Sequence, residues 1–308
     1  MDKPVEDVKK KPARIKADRG QLSRRRQNLL MVILVVLGVA ILIYPDIAHW
    51  YHSNQLVALQ QEYNEMVAIM AAEEIEHELN RARIFNDNLT GIHVQDPFVP
   101  GSGSVRSREY YEILNFDGIM GRIEIPMIEV NLPIAHGTSD RVLARGAGHM
   151  ENTPFPIGGI GNHAIITAHT GMLNMRLFTY LYRLDYGDLF FVEVLGERIA
   201  YEVDFIITVY PHEIEVLVSY DDRDLITLVT CTPYGVNSHR LLVRGSRIPY
   251  EPGMAEEIVS VIEPLNIRVI IIISFGILFL LIILFYRIKQ QRTQKRAQLK
   301  KRLQVVHN

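Results

Sequence analysis

Several features that would assign a chain of 308 residues to a familiar class are missing here. Only one cysteine occurs, Cys231, so no internal disulfide can stabilise the fold. The paired ligands of zinc signatures, C-x-x-C and H-E-x-x-H, are absent. No glycine-rich phosphate loop follows an apolar strand either. The sequence therefore does not indicate a disulfide-rich, zinc-binding or nucleotide-binding protein.

Lysine is absent from the long central part of the chain. Residues 28–286 contain 15 arginines, no lysine and 31 acidic residues, a formal charge of −16 (15 − 31), whereas the whole chain carries −2. The compensating positive charge lies in the two tails, residues 1–27 and 287–308. Basic tails can indicate nucleic-acid binding. Because both tails flank apolar runs, we interpret them instead as topology signals that contact anionic lipid, and we expect no nucleic-acid partner.

The two apolar runs are Leu29–Tyr44 and Val269–Tyr286. A helix needs roughly 20 mostly apolar residues to cross a bilayer. We predict transmembrane helices at residues 28–45 and 267–286, with both basic tails in the cytoplasm. A cleaved signal peptide is the alternative for the first run, but the sequence YPDIAHWYHS lacks an A-x-A-like cleavage site. The chain is thus expected in the cell membrane, with residues 46–266 outside.

The first part of this outer segment, residues 46–104, is predicted to be a helix followed by a loop. Apolar residues recur every three or four positions through residues 53–88 without Gly or Pro, which predicts the helix. Two prolines and three glycines mark residues 90–104 as a loop. This loop contains Asp96-Pro97-Phe98. A generic linker is the default interpretation, although an exposed aromatic side chain usually covers something.

The next part, residues 105–250, has the pattern of one mostly β domain. β-Branched or apolar runs bounded by turn residues lie at 121–137, 162–171, 188–210, 224–231 and 239–248. One short helix is predicted at residues 172–184. Many short strands with few helices indicate a mostly β barrel or sandwich. Residues 251–266 are then a linker to the second predicted span.

The single thiol lies where a side chain can act. Cys231 ends the apolar run Leu225–Val229, His169 ends the run AIITA, and Arg240 opens the strand after the Cys231 turn. Thiol chemistry needs a thiolate, a proton-transfer group and a donor for the developing oxyanion. Strand-end positions suit these three residues to those roles, with the imidazole keeping the thiol ionised.

Spacing alone leaves alternatives open for each of these residues. The cysteine can be an inert buried thiol, the histidine structural, and the arginine part of a surface ion pair. A zinc site made by His163, His169 and Cys231 is a further alternative. Without paired close ligands this alternative is weak, and we expect no metal and no organic cofactor.

At this point the residues resemble a known family, the sortases. Thr227-Leu228-Val229-Thr230-Cys231 resembles the family's TLxTC motif, residues 232–245 resemble the segment carrying its arginine, and HAIITAHTG resembles the strand ending in its catalytic histidine. The resemblance implies Cys231 as nucleophile, His169 as proton donor and acceptor, and Arg240 for oxyanion and substrate positioning. It covers most of residues 105–250 and implies the closed sortase-type β-barrel with short helices.

Two predicted spans and the Asp96-Pro97-Phe98 loop further resemble class C, the pilus-assembling sortases of Gram-positive bacteria. In that class a lid covers the active site, its acid pairs with the arginine and its aromatic residue lies over the cysteine. The resemblance implies that Asp96, Pro97 and Phe98 form this lid. The whole architecture is then an N-terminal helix, a lid loop and a barrel, flanked by two transmembrane helices.

The activity that this resemblance implies is transpeptidation. Cys231 attacks the Thr–Gly bond of an LPxTG-like sorting signal, and the thioester passes to a lysine amine of another pilin subunit. Pilin subunits and the lipid bilayer are the implied partners, and a monomer is expected. An enzyme that presents thioesters to amines benefits from having no lysine nearby, although compositional bias explains the absence equally well.

Three other functions remain open for the sequence. A housekeeping sortase would use a cell-wall peptide amine as acceptor, and it differs from the pilus type in lacking the lid and the second span. A wall-anchored substrate protein would carry LPxTG before its last span, where this chain has IEPLNIRV. A cysteine protease would hydrolyse the signal and give no transfer product when an amine is added.

Overall fold

The strands predicted between residues 105 and 250 close into a barrel in the computed structural model, which describes residues 19–89, 95–99, 107–172, 175–217 and 222–262 and isolated positions between 276 and 292. Within these residues the closed barrel has eight strands, ordered β1-β2-β3-β4-β7-β8-β6-β5. The strands are β1 (Ile119–Ile125), β2 (Val130–His136), β3 (Ala147–His149), β4 (His163–Thr167), β5 (Leu189–Val194), β6 (Glu197–Val209), β7 (Leu225–Thr232) and β8 (His239–Ile248). The prediction of a mostly β closed barrel is confirmed.

The strand pairing determines which side chains meet around the barrel. The β2–β3 and β4–β7 pairs are parallel. The other six pairs are antiparallel, including β1 with β5, which closes the barrel. The tight turn between β5 and β6 has positive φ at Leu195 and Gly196, as a two-residue hairpin turn requires.

The chain forms two compact units, residues 1–252 and 253–308. The first holds the barrel with four helices, α1 (Arg19–Ile69), α2 (Ala72–Asn88), α3 (Arg108–Glu112) and α4 (Asp140–Leu143), among its described residues. The second contains α5 (Met254–Ile262).

Two helix predictions need correction. The helix predicted at residues 53–88 is in fact two helices, because the helical conformation is interrupted at Met70 and Ala71 between α1 and α2. The short helix predicted at residues 172–184 is wrong. The described residues there form turns and one 3₁₀ turn, Leu181–Arg183, because Leu177 adopts a left-handed conformation that an α-helix does not allow.

The last turns of α1 pack against the barrel through one face. Leu56 and Tyr63 are buried, and they share this face with Gln60 and the partly buried Val67, a spacing of three or four residues. The Tyr63 hydroxyl donates to the carbonyl of Met120 at 3.1 Å and accepts from a β5–β6 turn amide at 2.9 Å. Burial of this phenol raises the pKa of Tyr63 to about 12, so the hydroxyl stays a donor.

The barrel has apolar side chains on both faces of one part of its wall. Inward-facing residues such as Leu228 and Val243 belong to the main core. Their neighbours Val229 and Leu242 point outward, because side chains alternate along a strand. The outward set forms a second buried cluster, which we call the outer apolar patch: Met150, Ile165, Val209, Ile214, Val229 and Leu242. Something must cover this patch from outside the barrel.

The two predicted membrane spans remain predictions. Searching the described part of the chain finds no helix that combines the length and apolarity needed to cross a bilayer. The span at residues 28–45 falls within α1, and nearly all of the span at residues 267–286 lies outside the described residues.

Candidate active site

The sheet register sets Cys231 directly opposite Arg240. The two residues are partners in the antiparallel β7–β8 ladder. Side chains that face each other in such a ladder lie on the same side of the sheet, with Cβ atoms about 4.5–5.5 Å apart. Since Val229 and Leu242 point outward, Cys231 and Arg240, two residues further along, also point outward. The side-by-side arrangement predicted from the strand ends is therefore present.

The same reasoning brings His169 beside Cys231. Strand β4 runs parallel to β7, with Thr167 paired to Val229. The amide of Ala168 donates to the Val229 carbonyl at 3.2 Å, so the alignment continues past the end of β4. One step further, His169 comes level with Cys231. The three predicted residues thus meet at one end of the outer wall, the thiol between the imidazole and the guanidinium.

The remaining residues of the TLxTC stretch support this geometry. Thr230 faces inward and donates its hydroxyl to the carbonyl of Ala168 at 2.8 Å, which fixes the residue before His169 to the strand that carries the thiol. Leu228 fills the barrel core. The hydroxyl of Thr227 lies 2.7 Å from Nε2 of His163. In this motif two threonine hydroxyls therefore connect β7 to the β4 segment, the leucine packs in the core, and the thiol is left on the outer face.

Arg240 is occupied by an acid from outside the barrel. Its Nε donates to Oδ1 of Asp96 at 2.8 Å and its Nη2 donates to Oδ2 at 2.7 Å. Nη1 donates to the backbone carbonyls of Asn237 and His239 at 3.0 and 2.9 Å. Arg240 is only 6% exposed and Asp96 only 7%, so this two-point pair lies out of solvent. In this arrangement the guanidinium is not available to a substrate.

The short segment around Asp96 also covers the imidazole. Residues 95–99, which we call the lid tip, form a turn in which the Phe98 and Val99 amides both donate to Asp96, at 3.3 Å each. The ring of Phe98 packs on the outer apolar patch. Its centroid lies 5.5 Å from that of His169 and 5.1 Å from the guanidinium carbon of Arg240. The tip therefore covers both His169 and Arg240.

Burial under the lid tip changes the protonation of the site. Burial raises the pKa of the Cys231 thiol to about 11; Arg240 opposes the increase and Asp96 adds to it. Burial also lowers the pKa of His169, and the charge of Asp140 on α4 opposes this. Both groups are therefore neutral near pH 7. The expectation that the imidazole keeps the thiol ionised is wrong for this closed arrangement, because desolvation outweighs the nearby positive charge.

Sequence reasoning missed the outer apolar patch under Phe98. The nearly continuous apolar runs of β4, β7 and β8 contained the signal, since both faces of these strands are apolar and only one can face the core. The zinc alternative does not fit the positions of its proposed ligands. His163 is the first residue of β4, six residues before His169, and its ring contacts the hydroxyl of Thr227. Among the described residues, no three His, Cys, Asp or Glu side chains cluster as metal ligands would.

Comparison with known proteins adds a family to this geometry. Residues 123–248 match the sortase domain family. This matched stretch includes the three residues at the end of the outer wall, although the lid tip lies outside it. A curated relative, sortase A of Streptococcus agalactiae serotype III, is 25% identical over 208 residues, which cover 66% of this chain and 77% of the relative.

Two solved structures are more similar. Sortase C of Streptococcus pneumoniae, whose crystal structure is discussed in terms of catalysis and pilin substrate specificity, is 40% identical, with a TM-score of 0.59 over 62% of this chain and 96% of that one. The pilus-related sortase C of Group B Streptococcus is also 40% identical, with a TM-score of 0.58 over 62% of this chain and 97% of that one.

Proposed function

Because the chain belongs to the sortase family, and is therefore a cysteine transpeptidase, we propose that it is a class C enzyme that joins pilin subunits. The observation that carries this proposal is the lid tip: Asp96 holds Arg240 through two hydrogen bonds while Phe98 covers His169. An acid and an aromatic residue in these positions are the features that the pilus-assembling class implies. The two pilus-type structures at 40% identity support the same assignment.

In the proposed reaction, the first half forms a thioester. The thiol of Cys231 gives its proton to His169, and the sulfur attacks the carbonyl carbon between Thr and Gly of an LPxTG-like signal. The negative charge that develops on the carbonyl oxygen is held by N–H groups of Arg240, once Asp96 has moved away. The C–N bond then breaks, and His169 gives a proton to the leaving glycine amine. The products are an acyl thioester on Cys231 and a free glycine amine.

The second half transfers the acyl group. A lysine amine of the next pilin subunit attacks the thioester carbonyl, the C–S bond breaks, and an isopeptide bond forms. The amine loses a proton to His169, and the thiol is restored. No redox step or cofactor takes part, since each half exchanges one acyl bond for another.

The lid tip must move before either half can begin. With the tip in place the thiol is 8% exposed and neutral, and the guanidinium is bound to a carboxylate. Moving the tip restores water to Cys231 and removes the negative charge of Asp96, and both changes lower the pKa of the thiol. Opening would thus expose the nucleophile and activate it in the same step.

The proposed setting is the outer face of the cell membrane. The two apolar runs and the basic tails beyond them support two spans with both tails in the cytoplasm and the barrel outside. This placement is tested by adding a cysteine-reactive, membrane-impermeant reagent to intact cells that carry the Asp96→Ala variant, in which the thiol should be uncovered. Labelling only after cell lysis would contradict an external barrel.

The experiment that tests the proposed function uses the full-length chain in detergent. An LPxTG peptide is added alone, with a lysine-bearing pilin subunit, or with a cell-wall peptide amine, and the products are identified by mass spectrometry. We expect a peptide adduct on Cys231 that pilin resolves into an isopeptide-linked product. The Cys231→Ala variant should form no adduct, and Cys231→Ser at most a trace.

Each other outcome has a distinct meaning. Undiminished capture by Cys231→Ala would refute the assignment of the nucleophile. Transfer to the wall peptide but not to pilin would show a housekeeping sortase. Hydrolysis alone, with no product from either amine, would show a protease.

A further inference from the structure

The segment His149–Phe155, which joins β3 to β4, contacts the chain on both sides of the lid tip; we call it the anchor segment. It is firmly held by its own bonds. The Met150 amide donates to the Ile165 carbonyl at 2.9 Å, and the hydroxyl of Thr153 donates to the Met150 carbonyl at 2.8 Å. Nε2 of His149 donates to the carbonyl of Pro154 at 2.8 Å. These bonds hold the anchor segment in one position.

Asn86 bonds the chain before the lid tip to the anchor segment. This residue lies near the end of α2 and is 7% exposed. Its Oδ1 accepts from the Phe155 amide at 2.7 Å, and its Nδ2 donates to the Phe155 carbonyl at 3.2 Å. One side chain thus pairs with both backbone groups of one residue. The ring of Phe85 packs beside this pair, 4.9 Å from that of Phe155.

The chain after the lid tip also bonds to the anchor segment. The amide of Ser107 donates to Oε1 of Glu151 at 2.9 Å. Tyr110, fully buried on α3, places its hydroxyl 2.9 Å from Nδ1 and 3.1 Å from the carbonyl oxygen of His149. Its ring stacks on Phe155 at 5.2 Å. The described chain on each side of the lid tip is therefore bonded to these seven consecutive residues, through Asn86 before the tip and through Ser107 and Tyr110 after it. We call these two attached parts the stems of the lid.

The anchor segment also contributes to the surface that the lid tip covers. Met150 belongs to the outer apolar patch on which Phe98 packs. One rigid segment therefore supports the chain before the tip, the chain after it, and the surface that the tip covers. The position of the tip over His169 and Arg240 depends on how its stems are held, because a tethered group occupies its site in proportion to its effective concentration there.

We propose that Asn86 is a positioning residue that keeps the lid tip closed by fixing the first stem of the lid to Phe155. It acts through Asp96 and Phe98 and touches neither the thiol nor the imidazole. Removing its amide leaves the N–H of Phe155 buried without its acceptor, while the Phe155 carbonyl keeps only the Ile157 amide at 2.8 Å. The unpaired N–H favours movement of the stem away from the anchor segment. The closed tip then becomes less populated while the barrel remains intact.

This inference predicts a kinetic effect that rests on the proposed function. If the tip competes with the sorting signal, the apparent affinity is the intrinsic one reduced by the fraction of open molecules. Loosening the tip should lower KM for the peptide and leave kcat unchanged. A general loss of packing would instead lower the active fraction and with it the apparent kcat.

The test measures how fast a small maleimide labels the full-length chain, in which Cys231 is the only thiol. The variants are Asn86→Ala, Asp96→Ala and the double variant. The matched control is Gln60→Ala, because Gln60 is also 7% exposed and also ties a helix to the barrel, donating to Asn131 at 2.8 Å. Unfolding of each variant is followed in parallel, so that labelling is compared where all are folded.

We expect Asn86→Ala to label about tenfold faster than the parent, a change of about 1.4 kcal/mol in the opening equilibrium. Gln60→Ala should label at the parent rate even if it melts earlier. In the Asp96→Ala background, Asn86→Ala should add little, because the tip is already open.

The failures are distinguishable. If Asp96→Ala itself labels no faster than the parent, the segment is not a lid and the proposed function loses its main support. If Asp96→Ala labels faster and Asn86→Ala does not, only the anchoring inference is overturned. If Asn86→Ala and Gln60→Ala accelerate labelling equally, or the two changes add fully in the double variant, Asn86 acts through general stability and the inference is again wrong.

Discussion

The β7–β8 ladder has a buried aspartate at each end, each paired with an arginine of β8. At one end Cys231 faces Arg240, which holds Asp96. At the other end Leu225 faces Ser246, and next to them Arg247 contacts Asp224. Both pairs join a buried aspartate to an arginine of β8, but they differ in what else holds the aspartate.

Asp224 is held entirely by the barrel. It accepts from the hydroxyl of Tyr201 at 3.0 Å, from the amide of Gly159 at 2.7 Å and from Nη1 of Arg247 at 3.2 Å. These three donors come from β6, from the connection between β3 and β4, and from β8. The side chain of Arg247 is 44% exposed, so water screens its charge and the other two bonds hold the acid. This carboxylate cannot leave without unmaking the wall.

Asp96 has the opposite arrangement. Among the described residues, its side chain accepts from Arg240 and, within its own turn, from the amide of Phe98. The acid and its turn can therefore leave the barrel as one unit, breaking the two-point contact with Arg240 and the packing of Phe98 on the outer apolar patch. A pair built wholly into the wall is permanent, whereas a pair with one partner on a separate segment can be released. The second kind is what a covered active site needs.

The largest expected effect separates the two acids by stability. Asp224→Ala leaves the Tyr201 hydroxyl and the Gly159 amide without their acceptor, and we expect a loss of about 2–4 kcal/mol in the free energy of unfolding. Asp96→Ala should lose less than about 1 kcal/mol, because the tip moves and water reaches Arg240. Urea unfolding of both variants measures the difference. Equal losses would mean that Asp96 is a structural acid like Asp224.

The second prediction concerns the ionisation of the thiol. Burial raises the pKa of Cys231 to about 11, with Asp96 adding to the increase, so the neutral thiol is favoured and thiolate forms only at high pH. In Asp96→Ala both causes weaken, and the midpoint of the pH–labelling curve should fall by about one unit or more. Asp224→Ala is the control and should keep the parent midpoint. A midpoint that stays in place in Asp96→Ala would show that the tip does not control the thiol.

The sequence is sufficient to predict the strands and the chemistry, but not the state of the site. The strand ends of Cys231, His169 and Arg240 could be read from apolar runs, because those runs stop where the side chains act. The pairing of strands that are distant in the sequence could not be predicted in this way, since the alignment of His169 with Cys231 depends on the parallel β4–β7 register. The three-residue β3 was invisible, because Ala147–His149 is too short for any period to show.

The protonation of the site was equally out of reach. Whether the thiol is ionised depends on how completely the tip excludes water, a property of the assembled fold. The contacts of Asn86 were hidden for the same reason. An asparagine near a helix end usually reads as a local cap or a surface residue, and only the folded chain brings it to Phe155.

The smallest expected effect uses the missing lysines. Arg141 is exposed on α4, next to Asp140, whose charge acts on His169, so we expect an amine there to come within reach of the thioester. Arg141→Lys, given donor peptide and no acceptor, should form a minor peptide adduct at position 141. Being an amide, this adduct survives hydroxylamine, whereas the thioester on Cys231 does not. Mass spectrometry after that treatment detects it.

The matched control for this substitution is Arg223→Lys, which places an amine beside Asp224 at the other end of the ladder. A lysine there should stay unmodified, because the thioester cannot reach it within one molecule. The contrast holds only if acyl transfer is confined to the Cys231 end of the barrel. Absence of any adduct at position 141 would leave compositional bias as the reason for the lysine-free domain, and equal adducts at both positions would show transfer between molecules.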